Sequence, residues 1–527
     1  MYLKSVEQPH HLGYAILAIL AIYLVAYIVY QRCLHPLAQY PGPFWASVTD
    51  VWQVFEFLSL KQPYRLTDLH EHYGPVVRYG PDKISITHES AVQAIYQKSS
   101  KALPKTEFYD AFGGAHPNVF GTRDESHHSL RRRHMSHAFS MANIKQMEQY
   151  IDENLSILMQ KISEEATAER TFDLKKFLHY YVIDVLGDLA FSKSFDLQIT
   201  NDTSRVPPVK EHTLLASATG AWPALLQSLK WLLPRLPIPA VQGLVNGRRD
   251  CAELASRSVQ RRLQELQTSQ DQKEVSLPQR KDLLTSLILA KHPDTGKHLS
   301  QTDLETEAFG FIIAGTHTTS ASTTLLFYNL LHNPESMKQC ISELDANLPP
   351  LGVDEAAYPV TDIESSLPYL RNCVKENFRI TPVFTMPLAR RITAPEGLTI
   401  EGHHFEKGTS IAVCNHAFHH APAVWGTDHN TFDPSRWERP ETADRSRLLM
   451  HFGLGGRQCI GKTMATTNIY KVMSSLLSQF EFKLAEEAEA LRAQQGGFKG
   501  VLPPLISVGV SDLETPLMVT AKLGLKK

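Results

Sequence analysis

The sequence has little excess charge of either sign and few cysteines. Lys and Arg number 53 and Asp and Glu number 55, which leaves a net charge of −2 in 527 residues. A near-neutral chain has no general positive field for holding nucleic acid phosphates, so a nucleic-acid-binding function is excluded. The six cysteines form no C-x-x-C pair, which argues against a zinc ribbon or a disulfide framework.

Motifs of several common enzyme classes are also missing. The chain has no G-x-S-x-G, no H-E-x-x-H and no Walker loop. No G-x-G-x-x-G sequence lies between a predicted strand and helix, so the chain carries no flavin or nicotinamide module of its own. A redox function would therefore take its electrons from a partner protein.

A long uncharged run is present near the N-terminus. Residues 12–30 contain no charged side chain, and a helix of this length nearly spans the roughly 30 Å of a bilayer interior. We expect a membrane anchor helix over 12–30, after a short segment over 1–11 and before a proline-rich connector over 31–43. A cleaved signal peptide is the alternative, although its apolar run is usually about 7 to 15 residues long.

The remaining residues, 44–527, show no internal repeat and no second composition boundary. Residues 76–79 and 84–87, which flank Gly80-Pro81-Asp82, predict a small hairpin. Residues 231–240 contain three prolines and predict a loop. We therefore expect one large, mainly α domain with small β-sheets. Helical spacing of apolar side chains predicts helices over 124–139, 144–166, 172–191, 241–266, 300–332, 335–344, 370–379 and 460–480.

A glycine-rich loop precedes the last predicted helix. It reads Phe452-Gly453-Leu454-Gly455-Gly456-Arg457-Gln458-Cys459-Ile460-Gly461. Its glycines allow backbone N–H groups to approach a sulfur atom, and the N-terminus of the next helix also stabilises a thiolate. A buried, inert cysteine is the usual alternative. However, the pattern F-x-x-G-x-R-x-C-x-G would arise by chance in only about one chain in 10⁴ of this length.

This loop resembles the heme-binding signature of the cytochrome P-450 family. The resemblance implies the cytochrome P-450 fold and a heme b cofactor. It implies that Cys459 is the axial ligand of the heme iron, that Arg457 reaches a heme propionate and that Phe452 packs beside the sulfur. Gly453 and Gly461 belong to the same cofactor-binding loop. A thiolate ligand donates electron density to the iron and favours cleavage of the O–O bond.

The segment Ala314-Gly315-Thr316-His317-Thr318 resembles the A-G-x-x-T element of the family's central helix. The resemblance implies that Ala314 and Gly315 form a groove over the heme. It also implies that Thr318 holds the water and protons needed to break the dioxygen bond. His317 stands where the family commonly has an acid. A histidine there could relay protons, or it could have an outward structural role, and the sequence leaves both open.

Three basic residues match family positions that contact the heme propionates. His128 and Arg132 stand in the place of a W-x-x-x-R pair and share one helix face. Arg390 is a further propionate contact by the same resemblance. The run Arg131–Arg133 also predicts a basic surface where an acidic flavoprotein electron donor would dock.

Other matches concern the protein scaffold. Glu376 and Arg379 fit the family's E-x-x-R element, and Arg436 fits the arginine that completes its charge triad. The resemblance gives these three residues a structural role. By family position, apolar substrate contacts are expected from Trp222, Phe384, Met386 and Leu502.

The segments 35–43 and 116–123 resemble microsomal members of the family from filamentous fungi. This resemblance implies an endoplasmic reticulum membrane protein with a single span, residues 1–11 in the lumen and the catalytic domain, 44–527, in the cytoplasm. The expected function is a monooxygenase that inserts one oxygen atom from O2 into an apolar small molecule. Its electrons come from NADPH-cytochrome P-450 reductase, and its substrate is a terpenoid, polyketide or alkaloid secondary metabolite.

Three other functions remain open at this point. One is a heme-thiolate isomerase or dehydratase that acts without O2. Another is a hydroxylase of simple aromatic compounds. The third is a heme carrier or sensor without catalytic activity.

Overall fold

A computed structural model describes residues 8–97, 103–113, 116–271, 282–291, 296–352, 355–485 and 502–524. Residues 1–7 of the predicted lumenal segment lie outside these ranges. The described helices are α1 (Gln8–Val29), α2 (Phe44–Val48), α3 (Val51–Leu58), α4 (Gln62–Tyr73), α5 (Glu89–Val92), α6 (Glu125–Ser136), α7 (Met141–Gln146), α8 (Glu148–Thr167), α9 (Leu174–Phe191), α10 (Leu197–Thr200), α11 (Val209–Ala221), α12 (Leu226–Leu232), α13 (Pro239–Asp271), α14 (Leu283–Leu289), α15 (Gln301–Leu331), α16 (Pro334–Asn347), α17 (Val360–Ser366), α18 (Pro368–Ile380), α19 (Asn415–His419), α20 (Pro422–Trp425), α21 (Pro440–Ala443) and α22 (Lys462–Gln479).

Short strands form small sheets beside these helices. They are β1 (Val76–Gly80), β2 (Lys83–Ile86), β3 (Phe172–Asp173), β4 (Arg390–Arg391), β5 (Leu398–Ile400), β6 (His403–Phe405), β7 (Ser410–Ala412), β8 (Phe480–Leu484), β9 (Leu505–Ser507), β10 (Ser511–Leu513) and β11 (Met518–Leu523). Strands β1, β2, β7 and β4 form one sheet in that order, and β3, β11 and β8 form another. The mainly helical fold class and the β1–β2 hairpin are confirmed.

The expectation of a loop over 231–240 is wrong except for residues 236–238. Helix α12 ends at Leu232, a 3₁₀ turn follows over Leu233–Arg235, and α13 begins at Pro239. Proline is tolerated in the first turn of a helix, where its missing N–H has no intrahelical partner. Pro234 and Pro239 therefore mark helix starts, whereas Pro237 lies in the short irregular connection of residues 236–238.

The N-terminal helix continues into the predicted connector and is held there by the globular body. A π-helical turn over Tyr30–Leu34 extends α1. The buried guanidinium of Arg78, on β1, donates to the carbonyl oxygen of Gln31 over 2.7 Å and to its Oε1 over 2.6 Å. In addition, the hydroxyl of Tyr27 donates to the carbonyl of Val48 over 3.1 Å. The apolar stretch Leu12–Leu34 is long enough to cross a membrane.

Helix α15 runs through the centre of the domain and packs against α9, α11, α13, α18 and α22. It starts at a capping box in which the Ser300 hydroxyl accepts from the backbone N–H of Asp303, while the Asp303 carboxylate accepts from the backbone N–H of Ser300. Nearly all of its later turns are buried. This helix forms one wall of the internal cavity described next, and the loop before α22 forms the opposite wall.

Candidate functional site

A cavity of about 330 Å³ lies between α15 and the glycine-rich loop of residues 452–461. Its walls also include residues of α6, α9 and α18, and Val510, which directly precedes β10. Most of the lining is apolar or aromatic, as is usual for small-molecule sites. Representative lining residues are Phe112, Phe120, Val185, Phe311, Val383 and Val510.

Cys459 faces this cavity from the glycine-rich loop. Its backbone N–H donates to the carbonyl of Phe452 over 2.8 Å, which closes the loop. Burial raises the pKa of the Cys459 thiol, while the N–H groups of Gly461 and Lys462 and the charge of Arg132 act in the opposite direction. The sulfur therefore has hydrogen-bond donors on the loop side and free access on the cavity side.

The loop needs glycine at position 455. Gly455 has a φ of +66°, and a Cβ atom there would lie 2.1 Å from the carbonyl oxygen of Tyr96. A side chain would thus require both an unfavourable backbone conformation and displacement of the neighbouring chain. This close approach fixes the loop against the residues that follow α5.

Basic side chains gather along one part of the cavity lining. Lys105, Arg390 and Arg457 all line it, together with Arg132 and His128. Lys105 is buried, and its Nζ donates to the carbonyl of Phe120 over 2.5 Å. Burial, and then the charges of Arg390 and Arg457, hold the pKa of Lys105 well below its usual range.

Some of these basic groups have protein partners. Arg457 donates to Glu125 over 3.0 Å from its Nε and to the carbonyl of Thr122 over 2.8 Å. Arg390 donates to the hydroxyl of Tyr109 over 3.2 Å. His128 lies 3.5 Å from Glu125, and burial together with the charge of Arg457 lowers its pKa to about 4. An anionic group at this place would relieve the excess positive charge.

Arg132 binds the loop directly. Its Nη1 donates to the carbonyl of Gln458 over 2.5 Å, one residue before Cys459. The predicted partners of the cysteine loop are thus together at one cavity. These features fit an iron porphyrin. The thiol suits the iron, the basic side chains suit the propionates, and the apolar walls suit the hydrophobic ring.

Comparison with known proteins gives the same assignment. The family described as cytochrome P450 matches residues 41–506. The chain belongs to the cytochrome P450 family.

Curated relatives of this P450 include several fungal enzymes. Cytochrome P450 monooxygenase gsfF of Penicillium aethiopicum is 31% identical over 490 residues, covering 89% of this chain and 92% of its own length. Benzoate 4-monooxygenase bphA of Aspergillus niger is 28% identical over 499 residues, covering 90% and 93%. Pisatin demethylase of Fusarium vanettenii is 28% identical over 487 residues, covering 91% and 92%.

The A-G-x-x-T segment of the P450 lies on the cavity wall formed by α15. Ala314, Gly315 and Thr318 all line the cavity. The Thr318 hydroxyl donates to the carbonyl of Ala314 over 2.6 Å. A Cβ atom on Gly315 would lie 2.6 Å from Cδ1 of Leu186, so this glycine permits the close approach of α15 to α9.

His317 is buried on a different face of α15 and is absent from the described cavity lining. Successive helical residues are rotated by about 100°, so His317 and Thr318 point in different directions. The His317 Nε2 lies 3.2 Å from Oδ2 of Asp512, on β10. The side chain therefore points neither to solvent nor into the cavity.

The predicted charge triad is fully buried beside the cavity. Arg379 donates to both carboxylate oxygens of Glu376, over 2.6 and 3.0 Å. The Nε of Arg436 lies 3.4 Å from Glu376 Oε1. Arg379 also donates to the carbonyl of His429 over 2.6 Å, and Arg436 to that of Trp425 over 3.0 Å. These contacts tie α18 to the chain that leads into the cysteine loop.

The structure corrects the predicted basic docking surface. Arg131 is buried and pairs with Asp303, and its Nε donates to His127 over 3.0 Å. Arg132 is half-buried and directed at the cysteine loop, which leaves Arg133 as the exposed member of this run. The helical period explains the error, because three successive residues of a helix cannot share one exposed face.

The sequence analysis missed Lys105 and Glu307, both of which line the cavity. Glu307 precedes Ala314 by seven residues, so the helical period could have placed it on the same face of α15. Lys105 lies in an irregular segment, where no sequence period is available. Of the expected substrate contacts, Phe384 and Met386 line the cavity, whereas Trp222 and Leu502 are absent from the described lining.

Proposed function

We propose that this P450 inserts one oxygen atom from O2 into an apolar small molecule, a fungal secondary metabolite. The observation that carries the proposal is the placement of Cys459 and Thr318 on the walls of one largely apolar cavity. The names of relatives such as gsfF support an oxygenase function. Heme b is the form of the cofactor that we propose.

The residues divide the work of binding the cofactor. The Cys459 sulfur would be the protein ligand of iron. Because burial raises the pKa of this thiol, coordination to the metal would deprotonate it, and the N–H groups of Gly461 and Lys462 would stabilise the resulting thiolate. Arg457, Arg390 and Arg132 would neutralise the propionates, and His128, which is neutral at its lowered pKa of about 4, would donate a hydrogen bond to one of them. When bound, the heme supplies the redox chemistry that activates dioxygen.

Residues of α15 on the cavity wall would position the water that supplies protons. The Thr318 hydroxyl uses its hydrogen to bond the Ala314 carbonyl, which leaves its oxygen lone pairs free to accept from water in the cavity. Thr318 can thereby hold a water molecule at the place where protons are needed. The surrounding apolar side chains would exclude other water.

The electron donor and the cellular location of the protein are part of the same proposal. We infer an NADPH-cytochrome P450 reductase as the electron donor and the endoplasmic reticulum membrane as the site. Helix α1 would be a single-pass anchor, with residues 1–11 in the lumen and 44–527 in the cytoplasm. The length and hydropathy of the Leu12–Leu34 stretch support the anchor.

The central test uses Cys459→Ser. The wild-type protein, purified with heme, is expected to show a red-shifted Soret band when reduced and bound to carbon monoxide. The variant should lose this band, because a serine hydroxyl does not supply the thiolate ligand. Retention of the same band in Cys459→Ser would overturn the assignment of the ligand.

A second test separates oxygenation from isomerisation. The protein is expressed with a P450 reductase and incubated with terpenoid, polyketide and indole alkaloid precursors. Product formation should require both NADPH and O2, and one atom of ¹⁸O2 should appear in the product. Turnover without NADPH would instead indicate an isomerase or dehydratase, and the absence of turnover under every condition would favour a carrier or sensor.

A hydroxylase of simple aromatic compounds is the second candidate. Aromatic side chains line the cavity, among them Phe112, Phe120 and Phe384. The benzoate 4-monooxygenase among the relatives acts on an aromatic compound by name. Benzoate and simple phenols therefore belong in the same product screen.

A further inference from the structure

Glu307 is an acid on the cavity wall formed by α15. It lies on α15, is 1% exposed and lines the cavity together with Phe311 and Ala314. The basic groups of the lining are assigned to the heme propionates, but Glu307 has no role in binding the heme. Its position therefore calls for a separate explanation.

The hydrogen bonding of Glu307 is incomplete among the described residues. Both carboxylate oxygens share one donor, the backbone N–H of Val119, over 3.1 and 3.2 Å. A carboxylate has about four acceptor positions. The described chain therefore fills only part of the acceptor capacity of this group, which faces the cavity.

Two charged side chains act on the pKa of Glu307 in opposite directions. Arg131, from α6, lowers its pKa, and Asp303, one turn earlier on α15, raises it. Asp303 is itself paired with Arg131 and with His116, whose Nδ1 lies 3.1 Å from Asp303 Oδ1. Burial dominates, and the pKa of Glu307 rises to about 7.

The helix sets the distance between Glu307 and the oxidation site. Glu307 and Ala314 are seven residues apart, which places them on one face of α15 about 10 Å from each other along the helix axis. Gly310 and Phe311 line the wall between them. A ligand that reaches from one to the other therefore passes the apolar ring of Phe311 and the amide of Asn118, whose Nδ2 would lie 3.4 Å from a Cβ atom on Gly310.

We infer that Glu307 binds a hydrogen-bond donor, a phenolic or alcoholic hydroxyl, at the end of the substrate remote from the oxidised carbon. The inference rests on the proposed function, because it takes the A-G-x-x-T wall as the place of oxidation. The substrate class is then an apolar ring system about 10 Å long that carries a hydroxyl group and no carboxylate at its far end. A substrate carboxylate at this place would be repelled by the buried acid, and Arg131, the cation that acts on Glu307, is already paired with Asp303 and is absent from the described cavity lining.

The test compares three probes that share one ring system. Biphenyl, 4-phenylphenol and biphenyl-4-carboxylate are titrated into the purified heme-loaded protein at pH 8, and binding is measured by equilibrium dialysis. The wild type should bind 4-phenylphenol about tenfold or more tightly than biphenyl-4-carboxylate, as expected for a hydrogen bond to a charged group. In Glu307→Gln this preference should fall about fivefold or more, mainly because the carboxylate probe binds better.

Two controls guard against a structural explanation. Glutamine can still accept from the N–H of Val119, and unchanged binding of biphenyl shows that the cavity keeps its shape. Glu305→Gln is the matched variant, because Glu305 lies on the same helix but bonds Ser256 and Gln301 outside the cavity. It should leave the preference unchanged.

A pH series provides an independent arm. Biphenyl-4-carboxylate stays ionised above about pH 5, so only the protein changes charge between pH 6 and 8. Its affinity for the wild type should rise as the pH falls through about 7, where Glu307 becomes protonated. Glu307→Gln should lose this dependence.

The possible failures are distinguishable. If Glu307→Gln keeps the wild-type preference and the wild-type pH profile, the inference is wrong. If the wild type lacks the red-shifted carbon monoxide band, the proposed function fails instead. Dialysis reports probe binding in either case.

Discussion

The Oδ2 atom of Asp512 accepts from His317 Nε2 over 3.2 Å, which joins the central helix to the strand β10. The same oxygen lies 2.8 Å from Lys210 Nζ and 3.2 Å from Lys175 Nζ. Four elements, α9, α11, α15 and β10, therefore meet at one carboxylate. The acid that the family carries before the threonine of α15 is thus absent, while an acid from β10 lies beside the histidine that replaces it.

Asp512→Asn should lower the free energy of unfolding by about 2 kcal/mol. The change leaves the cations of Lys175 and Lys210 without a counter-charge, and a buried unpaired charge is costly, although Lys210 is partly exposed. The check is the midpoint of thermal unfolding. Glu514→Gln is the control, because Glu514 pairs with Lys61 in an exposed position. Equal midpoints for the two variants would contradict this account.

Stability should fall as the pH is lowered from 6.5 to 4. Burial lowers the pKa of several histidines, so the unfolded chain binds protons in this range that the folded chain does not. Their stabilising contribution is complete above the unfolded pKa of about 6.5 and is lost as the pH falls toward the folded values. Thermal midpoints at pH 7.5, 6 and 5 measure this, and a flat profile would contradict it. The histidines are His70 and His128, with pKa values of about 4, and His179, His212, His419 and His420, with values of about 3.

Thr318→Ala should separate NADPH consumption from product formation. The variant loses the hydroxyl that faces the cavity and accepts from water, so protons would arrive in the wrong place or number. We expect the ratio of product to NADPH consumed to fall about tenfold, which is less than the roughly 10²- to 10⁴-fold effect of losing a proton-transfer group, because Thr318 positions water rather than transferring the proton itself. Thr316→Ala is the matched control, since Thr316 is buried and bonds the carbonyl of Ile312. Similar ratios in both variants would remove Thr318 from the mechanism.

Gly315→Ala should narrow the cavity. The new methyl group would lie 2.6 Å from Cδ1 of Leu186, and this side chain would have to move. We expect weaker binding of 4-phenylphenol in dialysis, by about 1 kcal/mol or more, and recovery in Gly315→Ala/Leu186→Ala. Gly243→Ala is the control, because nothing lies within 4 Å of a Cβ there. Failure of the second substitution to restore binding would contradict the steric explanation.

The sequence predicted most of what depends on local pattern. Helical spacing located the long helices, and the cysteine loop identified the family and placed Cys459 at the cavity. What it could not predict depends on contacts between distant segments. Asp512 reaches His317 from 195 positions away in the chain. Likewise, the burial of Arg131 depends on Asp303, 172 positions later.

Arg78 has a consequence for the membrane geometry. Arg78 is 1% exposed, and its guanidinium donates two hydrogen bonds to Gln31, which lies directly after the apolar helix. If α1 spans the bilayer as proposed, the membrane helix is joined to the catalytic domain by fixed hydrogen bonds rather than by a flexible linker. The catalytic domain would then keep a fixed tilt toward the lipid surface.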